Sequence, residues 1–207
     1  MNAIHQSYLS KFIDSVCYCF EREATPFDRC LLADNIALGI RDGQQVNDLA
    51  LSKLRTFANM YTEHRSQQGP IEHSCHAVSH GFAATLQTTP FADIFPLALT
   101  IGNVWFRGNN IYKVTRQKID QIIREGFDPD KTLDVHVWLT LSNMTVVDLT
   151  LLSTLSALGL SESAPSRNDR VLFWKEATPG DFEFEPLLVD NDFFSKVERG
   201  VVTYESV

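Results

Sequence analysis

Residues 134–150, DVHVWLTLSNMTVVDLT, read as two apolar strands around a polar turn, with His136 in the first arm and Asp148 near the end of the second. How the turn is built decides what the fold can do. Side chains alternate faces along a strand, so a one-residue change of register moves a whole set of residues to the other face. A two-residue loop of Ser142 and Asn143 would leave His136 on one face with Val147 and Leu149, and Asp148 on the other. A three-residue loop of Leu141, Ser142 and Asn143 pairs Thr140 with Met144, Trp138 with Val146 and His136 with Asp148. Asn143 tolerates the left-handed conformation that such a loop needs at its last position. An odd loop or a bulge is the expectation here, with His136 and Asp148 on one face. The ordinary alternative is a strand histidine that is packed and hydrogen-bonded.

Outward from this hairpin, the hydrophobic period changes along the chain. Ile4, Tyr8, Phe12, Val16 and Phe20 recur every four residues and predict a first helix. Thr25, Pro26 and Asp28 form a start signal for a second helix, closed by RDG at residues 41–43. Val46, Ala50, Leu54, Phe57 and Tyr61 mark a third, followed by a polar stretch, EHRSQQGP, read as a loop. Ser74 and Cys75 then open a helix that continues with Val78, Phe82 and Leu86. Beyond it, FPLALTIGNVWF and NIYKV read as strands joined through RGNN, and TRQKIDQIIREG as a helix stopped by Gly126. The hairpin, a helical LLSTLSALG, a strand RVLFWKEA and a closing DNDFFSKVERG complete the chain. DFEFEP and DND are read as solvated charges. Helices fill the first third and strands dominate the rest, which predicts one α+β domain over residues 1–207.

The composition is that of an ordinary globular protein: 44% of the 207 residues are hydrophobic and 11% aromatic. With 26 acids against 18 bases the net charge is −8, and no basic run exists to line a phosphate groove, so nucleic acid is excluded as a partner. No apolar run is long enough to span a membrane, and the first residues lack the pattern of a signal peptide. The expected compartment is the cytoplasm, with Cys17, Cys19 and Cys30 as buried free thiols.

Cys75 is different in kind. A cysteine at a helix N-terminus meets unpaired N–H groups and the positive end of the helix dipole, both of which favour thiolate. A histidine can then form the ion pair and carry protons, while a carboxylate on its far nitrogen fixes orientation and tautomer. Cys75, His136 and Asp148 supply these three types in the order helix, strand, strand.

SCHAVSHGFAATL, HVWLTL and VVDLT together resemble the papain-like cysteine hydrolases of the transglutaminase-like superfamily. In that family a Cys at a helix start is followed by a His-x-Trp strand and a strand ending Val-Asp-x-Thr. ALTIGNVWF resembles the strand between Cys and His. The likeness covers residues 70 to about 150, the expected catalytic core. It implies a papain-like core behind the helix-rich amino-terminal third. The implied chemistry is acyl transfer on a peptide, a protein, or a small amide or thioester, with no cofactor. It also implies that Trp138 shields the His136–Asp148 contact from water. The family's usual aromatic or Gln donor ahead of the cysteine is not obvious, although Gln67 and Gln68 stand near in sequence. Gln68 is accordingly one candidate for the oxyanion site, beside the backbone N–H of Cys75. His76 is a candidate to line the cleft.

Two rival functions use the same residues. His73, His76 and His80 fall near one helical face beside Cys75 and have the chemistry of transition-metal ligands. Alternatively, the fold serves as a non-catalytic binding module that retains the three polar residues.

Overall fold

The computed structural model describes residues 7–43, 48–72, 74–126, 133, 135–161, 166, 169–177 and 180–202. In chain order its elements are α1 (Tyr8–Arg22), α2 (Arg29–Gly43), α3 (Asp48–Gln68), α4 (Cys75–Gln87), α5 (Phe91–Ile94), β1 (Leu97–Phe106) and β2 (Asn109–Asn110). There follow α6 (Arg116–Glu125), β3 (His136–Leu141), β4 (Val146–Asp148), α7 (Leu151–Ala157), β5 (Leu172–Trp174), β6 (Phe182–Val189) and α8 (Phe193–Val202). The architecture is mixed α+β, with the amino-terminal part helical and the strand pairs antiparallel. The chain divides into two compact units: residues 1–38, 100–136 and 176–207 form one, and residues 39–99 and 137–175 the other.

In the first unit, Ser7 caps α1 by accepting from the Ser10 N–H, and the helix buries Tyr8, Phe12, Ser15 and Cys17 along β6. Ile4, expected on the same face, lies outside the described residues. The second helix starts later than expected. Asp28, not Thr25, is the cap, its Oδ1 accepting from the N–H groups of Cys30 and Leu31. β1 turns into β2 through Arg107 and Gly108, both at positive φ (51° and 78°), the two-residue turn whose twist suits antiparallel strands. Thr115 and Gly126 bound α6, as the sequence predicts.

β6 overturns the expectation that DFEFEP is merely a solvated acidic stretch. Its alternate residues Phe184, Pro186 and Leu188 are buried, and it pairs antiparallel with β1. Pro186 cannot donate to a ladder, and it stands next to an irregularity: Ile101 pairs with Leu188 but Gly102 with Pro186, leaving Leu187 as the extra residue. Arg116 Nε donates to the freed Leu187 carbonyl at 3.2 Å, while its Nη2 reaches Asp14 at 2.8 Å.

In the second unit, α3 runs through residues expected to be a loop. EHRSQQ is made of adequate helix formers, and Gln67 donates to Glu63 one turn back, so the stop comes only at Gly69 (φ 157°) and Pro70. Val46, expected in this helix, lies outside the described residues. The side-chain oxygen of Asn59 accepts from the N–H groups of Arg170 and Val171, which anchors the start of β5 on α3. Phe57 and Tyr61 pack on Phe82 of α4 with ring centroids 5.6 and 5.2 Å apart. Gly81 permits this approach, since a Cβ there would lie 2.5 Å from the Tyr61 hydroxyl and 3.7 Å from Cζ.

Two expectations follow. Gly81→Ala gains about 1 kcal/mol of helix propensity but overpacks by about 1–3 kcal/mol, so it should lower Tm. Adding Tyr61→Phe removes the clashing oxygen and should return Tm to that of Tyr61→Phe alone or higher. Strictly additive shifts in a double-mutant cycle would refute the close approach. The second expectation concerns acid. Burial pushes the Asp14 carboxyl up, but hydrogen bonds from Arg116 and Arg29 outweigh it and hold the group below its ordinary value. Its stability contribution is therefore present above the unfolded value and is lost as pH falls through the lower folded one. Asp14→Asn should flatten the acid limb of Tm against pH; a Tm loss equal at all pH would contradict this.

Candidate active site

The β3–β4 turn is a three-residue loop, but it sits one residue later than expected. Leu141 N–H donates to Thr145 O at 2.9 Å and Met144 N–H to Leu141 O at 2.8 Å, so Ser142, Asn143 and Met144 form the loop. Met144, not Asn143, takes the left-handed position, at φ 60°. Asn143 instead folds its side-chain oxygen onto the Thr145 N–H at 3.1 Å. The register shifts by two residues: Thr140 pairs with Val146 and Leu139 with Val147, in place of the expected Thr140–Met144 and Trp138–Val146 pairs. Counting on, Trp138 comes level with Asp148. A shift of two preserves the alternation of faces, and His136 stands two residues before Trp138 on the same strand.

Asp148 is fully buried. Its Oδ1 accepts from the N–H groups of Thr150 at 3.1 Å and Leu151 at 2.9 Å, so this carboxylate caps the start of α7. Sequence reasoning missed that role, although an Asp just ahead of a helical LLSTLSA is a usable signal for it. Trp138, directly across the hairpin, is also fully buried.

Cys75 heads α4 and is 4% exposed. The preceding Ser74 makes no side-chain capping bond. One turn further on, Ser79 donates its hydroxyl to the Val137 carbonyl at 3.1 Å, in a buried contact between α4 and β3. Residues four apart share a helical face, so this bond turns the Cys75 face of α4 toward β3.

His136 is fully buried, and Tyr112 stacks on its imidazole with ring centroids 4.0 Å apart and planes 7° from parallel. Nothing in the local sequence announces this pair, because 24 positions separate them.

The secondary candidates are spread more widely. Gln68 ends α3, where its oxygen accepts from Arg65 at 2.7 Å and its nitrogen lies 3.0 Å from His64 Nε2. His76 is half-buried and His80 exposed on α4, while His73 lies outside the described residues. Among the described residues, three metal-capable groups gather only at Cys19, Glu23 and Asp190, within 4.8 Å of one another. A cation already stands there: Lys196 Nζ bonds both carboxylates.

The other cysteines are not uniformly buried as expected. Cys17 is buried and its thiol is pushed up by desolvation. Cys19 is half-buried, with burial and then the Asp190 charge pushing its thiol up to about 11. Cys30 is exposed, because α2 buries none of its described side chains. No described helix is long and apolar enough to cross a membrane. No protein family, curated protein or solved structure matches the chain.

The capping role of Asp148 makes a separable prediction. Asp148→Ala removes the acceptor for two N–H groups and should cost about 1–2 kcal/mol in urea unfolding. Asp148→Asn keeps an oxygen for those groups and should keep most of the stability. Equal losses for both variants would show that the carboxylate, not the cap, supports the fold.

Proposed function

We propose that the protein is a cysteine-dependent acyl hydrolase or acyltransferase. Cys75 is the nucleophile, His136 the general acid–base and Asp148 the group that orients it. The observation that carries this reading is the Ser79–Val137 hydrogen bond. It ties the side of α4 that carries Cys75 and Ser79 to Val137, the residue that follows His136 in sequence. The hairpin alternation and the resemblance of SCHAVSHGFAATL, HVWLTL and VVDLT to transglutaminase-like cysteine hydrolases support it.

In the proposed reaction the Cys75 thiolate adds to the acyl carbon of an amide or thioester. The tetrahedral intermediate collapses to an acyl-thioester, and the leaving amine or thiol takes its proton from the His136 imidazolium. Water or an amine then gives a proton to neutral His136 and attacks the thioester, which releases the acyl product and regenerates the thiolate–imidazolium pair. In this scheme the Cys75 backbone N–H, at the positive end of α4, receives the oxyanion.

Thiol reactivity tests this without a substrate. At mildly acidic pH, iodoacetamide should label Cys75 faster than exposed Cys30, whose thiol has no ion-pair partner in this scheme. Cys17 and Cys19, raised by burial, should label slowest. His136→Ala should slow Cys75 labelling and leave Cys30 unchanged, with peptide mass spectrometry as the readout. A Cys75 rate indifferent to His136, or slower than that of Cys30, overturns the proposal.

A further inference from the structure

Tyr112 lies in a segment, residues 110–114, that two asparagines hold from both ends. At the leading end, Asn110 Oδ1 accepts from the N–H groups of Tyr112 at 3.1 Å and Lys113 at 2.9 Å. At the trailing end, buried Asn103 on β1 takes both backbone groups of Val114: its Oδ1 accepts from Val114 N–H at 2.7 Å and its Nδ2 donates to Val114 O at 3.0 Å. Nδ2 of Asn103 is also fixed from β6, donating to Glu185 at 2.9 Å. Between these clamps Lys113 is held at φ 55°, a left-handed conformation that a long side chain adopts only under constraint. Ile111 N–H donates to Val104 O at 2.9 Å and ties the segment to β1. The result of these restraints is one feature: the Tyr112 ring lies flat on His136.

We infer that Tyr112 is the positioning residue for His136, a deepening that rests on the catalytic reading above. An imidazole exchanges protons through its two nitrogens, whose lone pair and N–H lie in the ring plane. A partner on the ring face therefore fixes the plane without competing for either nitrogen. Near-parallel stacking restricts rotation of the imidazole about its Cβ–Cγ bond, so its two nitrogens keep to one plane. A general acid–base gains from this, because misdirection by as little as 1 Å can cost on the order of a hundredfold in rate. The π face also favours a cation above it, and the imidazolium is the charged state that the thiolate requires.

The test uses the full chain and three variants, Tyr112→Phe, Tyr112→Leu and His136→Ala. Two readouts are taken: the His136 ring-proton shifts in a proton–carbon NMR correlation spectrum, and the iodoacetamide rate at Cys75 in folded protein. The wild type should show His136 ring protons moved upfield by the stacked Tyr112. Tyr112→Phe should keep that shift and the alkylation rate. Tyr112→Leu should lose the shift and slow alkylation on the order of tenfold, toward the His136→Ala floor. Loss of the shift with an unchanged rate overturns the positioning role, as does a wild-type spectrum with no upfield shift. If His136→Ala itself leaves the Cys75 rate unchanged, the catalytic reading has failed and Tyr112 has no reaction to serve. The NMR shift then still reports whether the stack exists, so the two failures are told apart.

Discussion

The hydrogen bond from Ser79 to the Val137 carbonyl sets which side of α4 the β3 strand meets. Both groups are buried, so breaking the bond leaves polar atoms out of water and costs more than the bond's small net worth. On a helix, the rows four residues apart and three residues apart from Ser79 include Cys75 and Phe82. Val78, Phe82 and Leu86 form the apolar stripe, and Cys75 and Ser79 run along its edge. Cys75 is consequently at the amino end of the buried face and not on the solvent side. An inert core thiol and a cleft nucleophile can both occupy such a place. The amino end of a helix dipole favours a negative charge there, so the thiolate fraction of Cys75 is the property that separates the two.

The hairpin shows how much a small local choice can change. Asn143 has two uses in a tight turn: to adopt the left-handed conformation, or to accept a nearby N–H with its side chain. It takes the second, and Met144 accepts the left-handed position at the cost of its Cβ. That choice moves Trp138 opposite Asp148 and leaves the two faces of the hairpin as they were. An error of two residues was survivable; an error of one would have reversed every side chain in β4.

The parts legible in the sequence are those whose causes are local. Thr115 and Gly126 bracket α6 because a cap and a glycine act within one turn. The start of α4 after Gly-Pro and Ser74 is equally local. The parts missed have distant causes. β6 alternates Phe and Glu as an amphipathic strand should, but its charges read as a solvated stretch, and the irregularity opposite Gly102 that accommodates Pro186 depends on the distant partner β1. The length of α3 is supported by side-chain bonds within EHRSQQ that propensity alone does not foretell. Asp148 was read for its charge, whereas its most visible bonds are to the backbone of α7. The Tyr112–His136 stack sits beside a segment bonded by Asn110 and by Asn103, itself bonded to Glu185, and no window of sequence contains all of these residues.

Burial makes the polar residues of β3, β4 and α4 informative in proportion to what the fold needs from them. A buried polar group without partners costs about 1–3 kcal/mol, and good hydrogen bonding returns it only toward neutrality. An apolar residue of similar shape is commonly as stable or more so. Ser79 offsets its burial by anchoring α4 to β3, and Asp148 by capping α7. His136 is buried in a different setting. It opens the apolar strand β3, between Val135 and Val137, where a β-branched side chain would pack with higher strand propensity. A separate segment, restrained by two asparagines and carrying a residue at positive φ, lays an aromatic ring on this one imidazole. His136 is thus a buried polar residue whose orientation the surrounding structure fixes on its ring face.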